Sequence, residues 1–451
     1  MKEPRENLCP NRSLFLPTIL LSLLPPTAYA IDSDLVITPS DSDPSNLQLE
    51  ILSSANAQHD WIVESSTDLL NWLTIGTVRT EEGIDTVIAD SLSVDEAPIF
   101  YRARTDEGVD AILNLPENYY NYANIELPDH LDNNRTRDED NTPNDNPITD
   151  AGATLGRVLF YDPRLSRNYT ISCSSCHLQE NAFTDPATFS VGFEGGLTGR
   201  NSMGLTNAKF YEPGHFFWDE RADTLEVQTL LPIQDEVEMG MNLEDLVERL
   251  GEYEYYAVLF EDAFGDAEIT TDRISRAISQ FVRSMVSFQS KFDIGEATNF
   301  SNFTTQELRG RQLFNSNRAN CNNCHEGPNF VGDEPENNGL EFPFIDLGVG
   351  GVNGNQRDDG KFKMSSLRNI EVTGPYMHDG RFDTLEEVID HYSTGIVANP
   401  NLGNQLENNN QPIRPNFTDN EKADLIAFLL TLTDEAFLTD PKYSDPFRET
   451  D

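Results

Sequence analysis

The pattern C-x-x-C-H occurs twice in this chain, as Cys173-Ser174-Ser175-Cys176-His177 and as Cys321-Asn322-Asn323-Cys324-His325. It is the signature of covalent c-type haem attachment. The two thiols add to the vinyl groups of the haem, and the histidine that follows at once reaches the iron from one face. Two such groups on one polypeptide limit the chemistry to electron transfer, peroxide reduction or a related oxidation. A C-x-x-C pair can also hold zinc or run thiol redox chemistry. The cysteine inventory argues against both. Four of the five cysteines lie in the two motifs, and the fifth, Cys9, lies in a leader-like start. Zinc held by both pairs would leave the histidine after each pair a coincidence twice over.

Residues 1–30 read as a secretory signal. Lys2, Arg5 and Arg12 precede an apolar run from Ser13 to Leu24, and Ala28-Tyr29-Ala30 is a small-x-small cleavage site. Pro17, Pro25 and Pro26 interrupt the run, which is short for a bilayer span. The expectation is an exported, periplasmic protein with no membrane span in the mature chain, a compartment that suits C-x-x-C-H. The formal charge of −46, from 31 Lys and Arg against 77 Asp and Glu, makes nucleic acid and anionic membranes poor partners. It would steer basic proteins toward the chain, and it also serves solubility.

The fold class expected is multidomain and mainly α: two cytochrome c-like haem domains preceded by a small all-β sandwich. Residues 31–107 read as the β module. Leu47–Ile51 and Thr74–Thr80 alternate with period two, and Trp61–Ser65 and Ile99–Arg104 are further short strands. Trp61 and Trp72 are candidates for its core. Residues 108–147 read as an acidic linker, because the run Arg137–Asn146 is polar and lacks the glycine of a calcium loop. Residues 148–300 form the expected N-terminal, peroxidatic haem domain, and residues 301–451 the C-terminal, electron-transfer one. Helical spacing marks Ala151–Tyr161, Leu243–Phe264, Asp272–Phe288, Thr305–Phe314 and Asn420–Leu432.

Several ordered segments carry a family resemblance. They are Leu165–His177, Gly199-Arg-Asn-Ser202, Phe217-Trp-Asp-Glu-Arg-Ala-Asp223, Pro232–Gly240, Ser366-Leu-Arg-Asn369 and Thr373–Gly380. Over residues 148–435 the chain resembles the di-haem bacterial cytochrome c peroxidases and MauG, and it looks closer to the MauG-like branch. The resemblance implies two covalently bound c-type haems, with His177 and His325 as iron ligands. It implies that Trp218 lies between them as an oxidisable relay. Gln228 and Glu238, 10 and 20 residues after Trp218, match the family's distal glutamine and glutamate. A carboxylate of raised pKa there can move a proton between the two peroxide oxygens. Asn201, Thr373 and Pro375 match the family's calcium ligands, the latter two through backbone carbonyls.

Two departures from the common pattern stand out. The loop Phe189–Asn201 has no histidine, and Phe193 falls where many members carry one, so the first haem is expected to have an open distal face. Fourteen residues beyond His378, where the usual peroxidase has methionine, stands Tyr392. This is the MauG-like pattern, and an anionic phenolate would favour oxidised iron over reduced. His391 and Met377 are the competing ligands. Two functions are therefore expected. One is an exported peroxidase that reduces hydrogen peroxide at the first haem, with electrons relayed through the second from a small cytochrome c or cupredoxin. The other is a MauG-like enzyme whose high-valent haems oxidise Trp or Tyr of a partner protein. A pure electron-transfer cytochrome is a third reading, against which the open distal face argues.

Overall fold

The computed structural model describes residues 112–448 in full and, between 33 and 105, the backbone of six strands. The chain divides into two compact units, Met1–Ile112 and Leu113–Asp451. In the first, β1 (Ser33–Pro39), β2 (Leu47–Ser53) and β5 (Ile84–Ile88) form one antiparallel sheet in the order β1-β2-β5. β3 (His59–Ser66) lies between β4 (Leu73–Thr80) and β6 (Phe100–Thr105) in another. A register shift at Val63/Glu64 marks a bulge. The expected sandwich is not supported beyond this pairing. It requires side chains packed between sheets, and those of Trp61 and Trp72 lie outside the described residues. So do the signal sequence 1–30 and Cys9.

The second unit is mainly helical and is built on one design used twice. Thr149 caps α1 (Asp150–Tyr161) by accepting a hydrogen bond from the Gly152 amide. α2 (Leu225–Gln234) and α3 (Thr271–Ser284) follow, capped by Thr224 and Thr270. α4 (Thr305–Phe314) begins with a capping box of Thr304 and Glu307. α5 (Leu385–Asp390) and α6 (Asp419–Leu430) carry the same device, with Thr384/Glu387 and Thr418/Glu421. α1 crosses α3 where a Cβ on Gly156 would lie 1.9 Å from the Ala277 carbonyl oxygen and 2.9 Å from Phe281 Cβ. α4 crosses α6 where a Cβ on Gly310 would lie 1.9 Å from the Asp424 carbonyl oxygen and 2.8 Å from Phe428 Cβ. Only glycine permits backbones this close. Phe281 and Phe428 are fully buried, and each such ring contributes roughly 1.5–3 kcal/mol.

The repeat extends into the loops. Asn207 and Asn369, at φ 59° and 61°, cap the chain after α3 and α6 through the amides of Ser287 (2.7 Å) and Asp434 (2.8 Å). The decapeptide Phe216-Phe-Trp-Asp-Glu-Arg-Ala-Asp-Thr-Leu225 returns as Tyr376-Met-His-Asp-Gly-Arg-Phe-Asp-Thr-Leu385. Both copies close through an antiparallel bridge, Phe216–Ala222 and Tyr376–Phe382. Both turn through left-handed residues, Phe217 (69°) and Glu220 (56°) in one, Met377 (75°) and Gly380 (61°) in the other. Trp218 and His378 are equivalent in this register. The helix after the second copy loosens into a π-helical turn at His391–Gly395, a feature that recurs at functional sites.

Several expected boundaries move. Residues 113–147 are docked rather than a solvated acidic linker. Arg135 pairs with Glu139 (2.7 Å) and Glu326 (2.8 Å), Asn146 donates to Glu226 (2.7 Å), and His130 meets Asp293 (2.7 Å). Polar residues read as solvated because their partners stand far away in sequence. The expected helix Leu243–Phe264 is two, Leu243–Gly251 and Glu254–Phe264. Phe292 and Phe300 pack with Phe314, Phe330 and Phe428, so the second core begins before residue 301. The C-terminal tail instead serves the first half. Phe437 and Tyr443 pack on Phe183 and Phe281, and Tyr161 donates to the Tyr443 carbonyl (2.7 Å).

Candidate functional site

Each C-x-x-C-H motif lines its own cavity, so the two thiol pairs do not converge on one zinc ion. Cys173, Cys176 and His177 face a cavity of about 490 Å³, and Cys321, Cys324 and His325 one of about 260 Å³. None of the four cysteines is in a disulfide. Burial pushes Cys173 and Cys321 up to about 12 and Cys176 and Cys324 up to about 11. His177 Nδ1 donates to the Phe183 carbonyl (2.7 Å) and His325 Nδ1 to the Phe330 carbonyl (3.3 Å). This tautomer leaves Nε2 as the donor atom for a metal. Burial lowers both imidazoles, His325 to about 4, which keeps them neutral for ligation. The donor set and the cavities therefore fit two covalent haems.

The first cavity also gathers Gln228, Glu238, Trp218, Pro232 and Arg221. Gln228 and Pro232 stand on α2, one turn apart. Glu238 lies in the turn after the helix, where Asp235 accepts from its amide (3.1 Å). Burial, with help from Asp235, raises the Glu238 carboxyl to about 6, and the Arg221 charge opposes the rise. Such a group exchanges protons near neutral pH. Counting 14 residues from Trp218 and from His378 arrives at Pro232 and Tyr392, one in each cavity wall. Proline offers no donor atom at the position where the second cavity has a phenol.

The loop of Phe193 is fastened to the Glu238 turn. The Phe193 amide donates to the Glu238 carbonyl (3.0 Å), and Asn168 Nδ2 donates to the Phe193 carbonyl (2.7 Å). The ring is buried, with Gly240 against its far end and the Arg167 guanidinium 5.3 Å from its centroid. A Cβ on Gly192 would lie 1.6 Å from the Val237 carbonyl oxygen. Phe193 thus packs beside the turn and is not among the residues that line the cavity.

In the second cavity, Tyr392 and Met377 line the wall and His391 does not. His391 Nε2 is engaged with the Asn338 carbonyl (2.9 Å), and Met377 Sδ accepts from Asn338 Nδ2 (3.3 Å). Burial raises the Tyr392 phenol to about 12, partly offset by Asn338. Asn201, Thr373 and Pro375 line the same cavity. Asn201 Nδ2 donates to the carbonyls of Ala187 (3.1 Å) and Thr188 (3.3 Å). Trp218 and Asn201 border both cavities, and Trp218 Nε1 donates to the Asn201 carbonyl (2.8 Å).

Sequence reasoning missed Tyr211, Lys363, Arg221 and Pro232, all of which line the first cavity. The repeated D-x-R-x-D-T-L was the signal available for Arg221 and Pro232. Nothing comparable marks Lys363 or Tyr211.

A family profile described as di-haem cytochrome c peroxidase matches residues 150–297. The chain is 36% identical over 293 residues to the methylamine utilization protein MauG of Methylophilus methylotrophus, covering 64% of this chain and 84% of that protein. It is 34% identical over 285 residues to the cytochrome c551 peroxidase of Nitrosomonas europaea, covering 62% and 79%. Among solved structures it is similar to a MauG-like protein associated with microbial copper homeostasis. There the TM-score is 0.62 at 37% identity, over 72% of this chain and 99% of that one.

Proposed function

The chain belongs to the di-haem cytochrome c peroxidase family, and on that premise we propose that it reduces hydrogen peroxide in the cavity of Cys173, Cys176 and His177, with electrons relayed from the Cys321–His325 site. Family membership makes it a haem oxidoreductase and implies two c-type haems. Bound haem supplies an iron with redox chemistry and a coordination position for peroxide. The observation that carries the reading is the inequality of two equivalent wall positions, Pro232 in the first cavity and Tyr392 in the second. A wall without a donor leaves room for a small substrate.

His177 holds the proximal side, its Nδ1 proton fixed on Phe183. Glu238 takes a proton from one peroxide oxygen and returns it to the other. Gln228, on α2, orients peroxide or water by hydrogen bonding. Trp218, bordering both cavities, is the electron relay, and its indole N–H on Asn201 fixes the ring between them. Calcium would be held by Asn201 and the carbonyls of Thr373 and Pro375, where it would brace that wall. Export is also part of it. Among the described residues no helix is long and apolar enough to cross a membrane.

A second reading, oxidation of Trp or Tyr on a partner protein, is favoured by one observation, the presence of Tyr392 rather than His391 on the second cavity wall. A phenolate ligand stabilises oxidised iron, which suits holding oxidising power over passing electrons quickly. Purified holoprotein titrated optically with hydrogen peroxide, and then turned over with reduced cytochrome c, separates the two. Fast turnover supports the peroxidase. Slow turnover with a long-lived oxidised spectrum supports protein oxidation. No optical response to peroxide sinks both. Tyr392→Met should raise the potential of the second haem, and an unchanged potential refutes Tyr392 as its ligand.

A further inference from the structure

Beside Trp218 lies a buried polar cluster that the peroxide chemistry above does not use. Tyr211 is 1% exposed, lines the first cavity, and donates its phenolic hydrogen bond to Glu220 Oε1. Glu220 Oε2 stands 4.0 Å from Nδ1 of His215, whose side chain is 45% exposed. The Lys363 ammonium sits 3.6 Å from the Tyr211 ring centroid, donates to the His215 carbonyl (2.7 Å), and is buried. The Lys363 amide donates to the Trp218 carbonyl (2.8 Å), and Lys363 borders both cavities.

A packing tyrosine needs only a hydrogen-bond partner. This one has more: a carboxylate as acceptor, the Lys363 amine on its ring face, and the half-exposed His215 imidazole 4.0 Å beyond that carboxylate. We propose that Tyr211 is a second oxidisable relay of the first haem site, giving up its electron to that site and its proton to Glu220. Burial and the Glu220 acceptor both raise the Tyr211 phenol, so it is neutral before oxidation. Burial lowers the Lys363 ammonium to about 7; when protonated at the ring face it opposes positive charge on the ring, so the electron leaves together with the proton.

The step balances. One electron passes from the ring to the peroxide-oxidised centre in the Cys173–His177 cavity. The phenolic O–H breaks, an O–H forms on Glu220, and a neutral tyrosyl radical remains. Hydrogen peroxide is the oxidant, taking two electrons and, from solvent, two protons to give two waters. Tyr211 supplies one electron and the second haem site the other. An external one-electron donor, with the proton from Glu220, restores the phenol. Tyr211 is thereby an exit for oxidising power on the His215 side of the first cavity, separate from the relay through Trp218.

The inference rests on the proposed peroxide chemistry, so the test carries an arm that does not. Holoprotein is frozen after reaction with hydrogen peroxide and examined by electron paramagnetic resonance. A parallel sample is oxidised by flash-quenched ruthenium tris-bipyridine, without peroxide. The expected result in both arms is a neutral tyrosyl signal that collapses on ring deuteration of tyrosine. It is lost in Tyr211→Phe and reduced in Glu220→Gln, which keeps an acceptor but not a base. Retained c-type haem absorption checks that each variant is folded. A tyrosyl signal undiminished in Tyr211→Phe, or none from wild type in the ruthenium arm, overturns the proposal. A signal in the ruthenium arm alone supports Tyr211 and counts against the peroxide reading.

Discussion

Glu238 differs from most of the 77 acidic residues in what surrounds it. Burial lifts its carboxyl to about 6. Below that pH the group is protonated and cannot accept the first proton of peroxide, so the rate of the peroxide reaction should rise with pH through about 6. Glu238→Gln should abolish this limb and lower the rate about 10²–10⁴-fold, as measured by stopped-flow absorption. A limb that survives in the variant assigns the ionisation to another group. Stability has the opposite sign. A carboxyl raised on folding favours the native state at low pH and loses that contribution as pH rises through the folded value. At pH 8 the ionised group therefore costs roughly 1–2 kcal/mol, and Glu238→Gln should unfold at a higher temperature than wild type there. Equal midpoints at pH 8 would mean that the carboxylate is solvated.

At the scale of elements, glycine decides where helices and loops can meet. Gly156 and Gly310 lie under carbonyls of the crossing helices. An added methyl must push α1 from α3, or α4 from α6. Gly156→Ala and Gly310→Ala should each cost at least about 1–3 kcal/mol by overpacking, read as a lower thermal midpoint, and wild-type midpoints in both would refute the crossing geometry. Gly192 is a different case, because its neighbour is the peptide before Glu238. Gly192→Ala should slow the peroxide reaction while leaving haem attachment intact. The opposite pattern, normal kinetics with poor haem attachment, would show that this loop does not position Glu238. The crossing helices were legible from apolar spacing and caps. The glycine contacts were not, because closeness between residues far apart in sequence leaves no local mark.

At the scale of the whole molecule, the tail ties the two haem halves together. Tyr443 is 2% exposed and donates to the Ser284 carbonyl (2.7 Å) at the end of α3. Tyr443→Ala should cost about 3–5 kcal/mol, whereas Tyr443→Phe forfeits only the hydrogen bond, about 1 kcal/mol. Thermal unfolding followed at both haems reports the difference, and equal losses in the two variants would mean that the hydroxyl, not the ring, holds the tail. The net charge of −46 acts on the same scale. Turnover with a basic cytochrome c should fall as salt rises, since screening reaches about 8 Å at physiological ionic strength. Turnover that does not change with salt would exclude electrostatic steering of the donor.

The two C-x-x-C-H motifs and the capped helices around them were readable in the chain, because each is a short pattern whose chemistry depends on residue type and spacing. Tertiary structure decided what spacing cannot carry. It brought Gln228, Glu238, Trp218 and the Cys173–His177 motif to one cavity, set Pro232 opposite Tyr392 as its counterpart, and turned His391 toward Asn338. It docked residues 113–147, which read as a linker, and gave the tail to the first half. It also buried Lys363 and Tyr211 beside Trp218. The physical reason is the same throughout: burial, and with it pKa and pairing, depends on neighbours that are distant in sequence and meet only when the chain has folded.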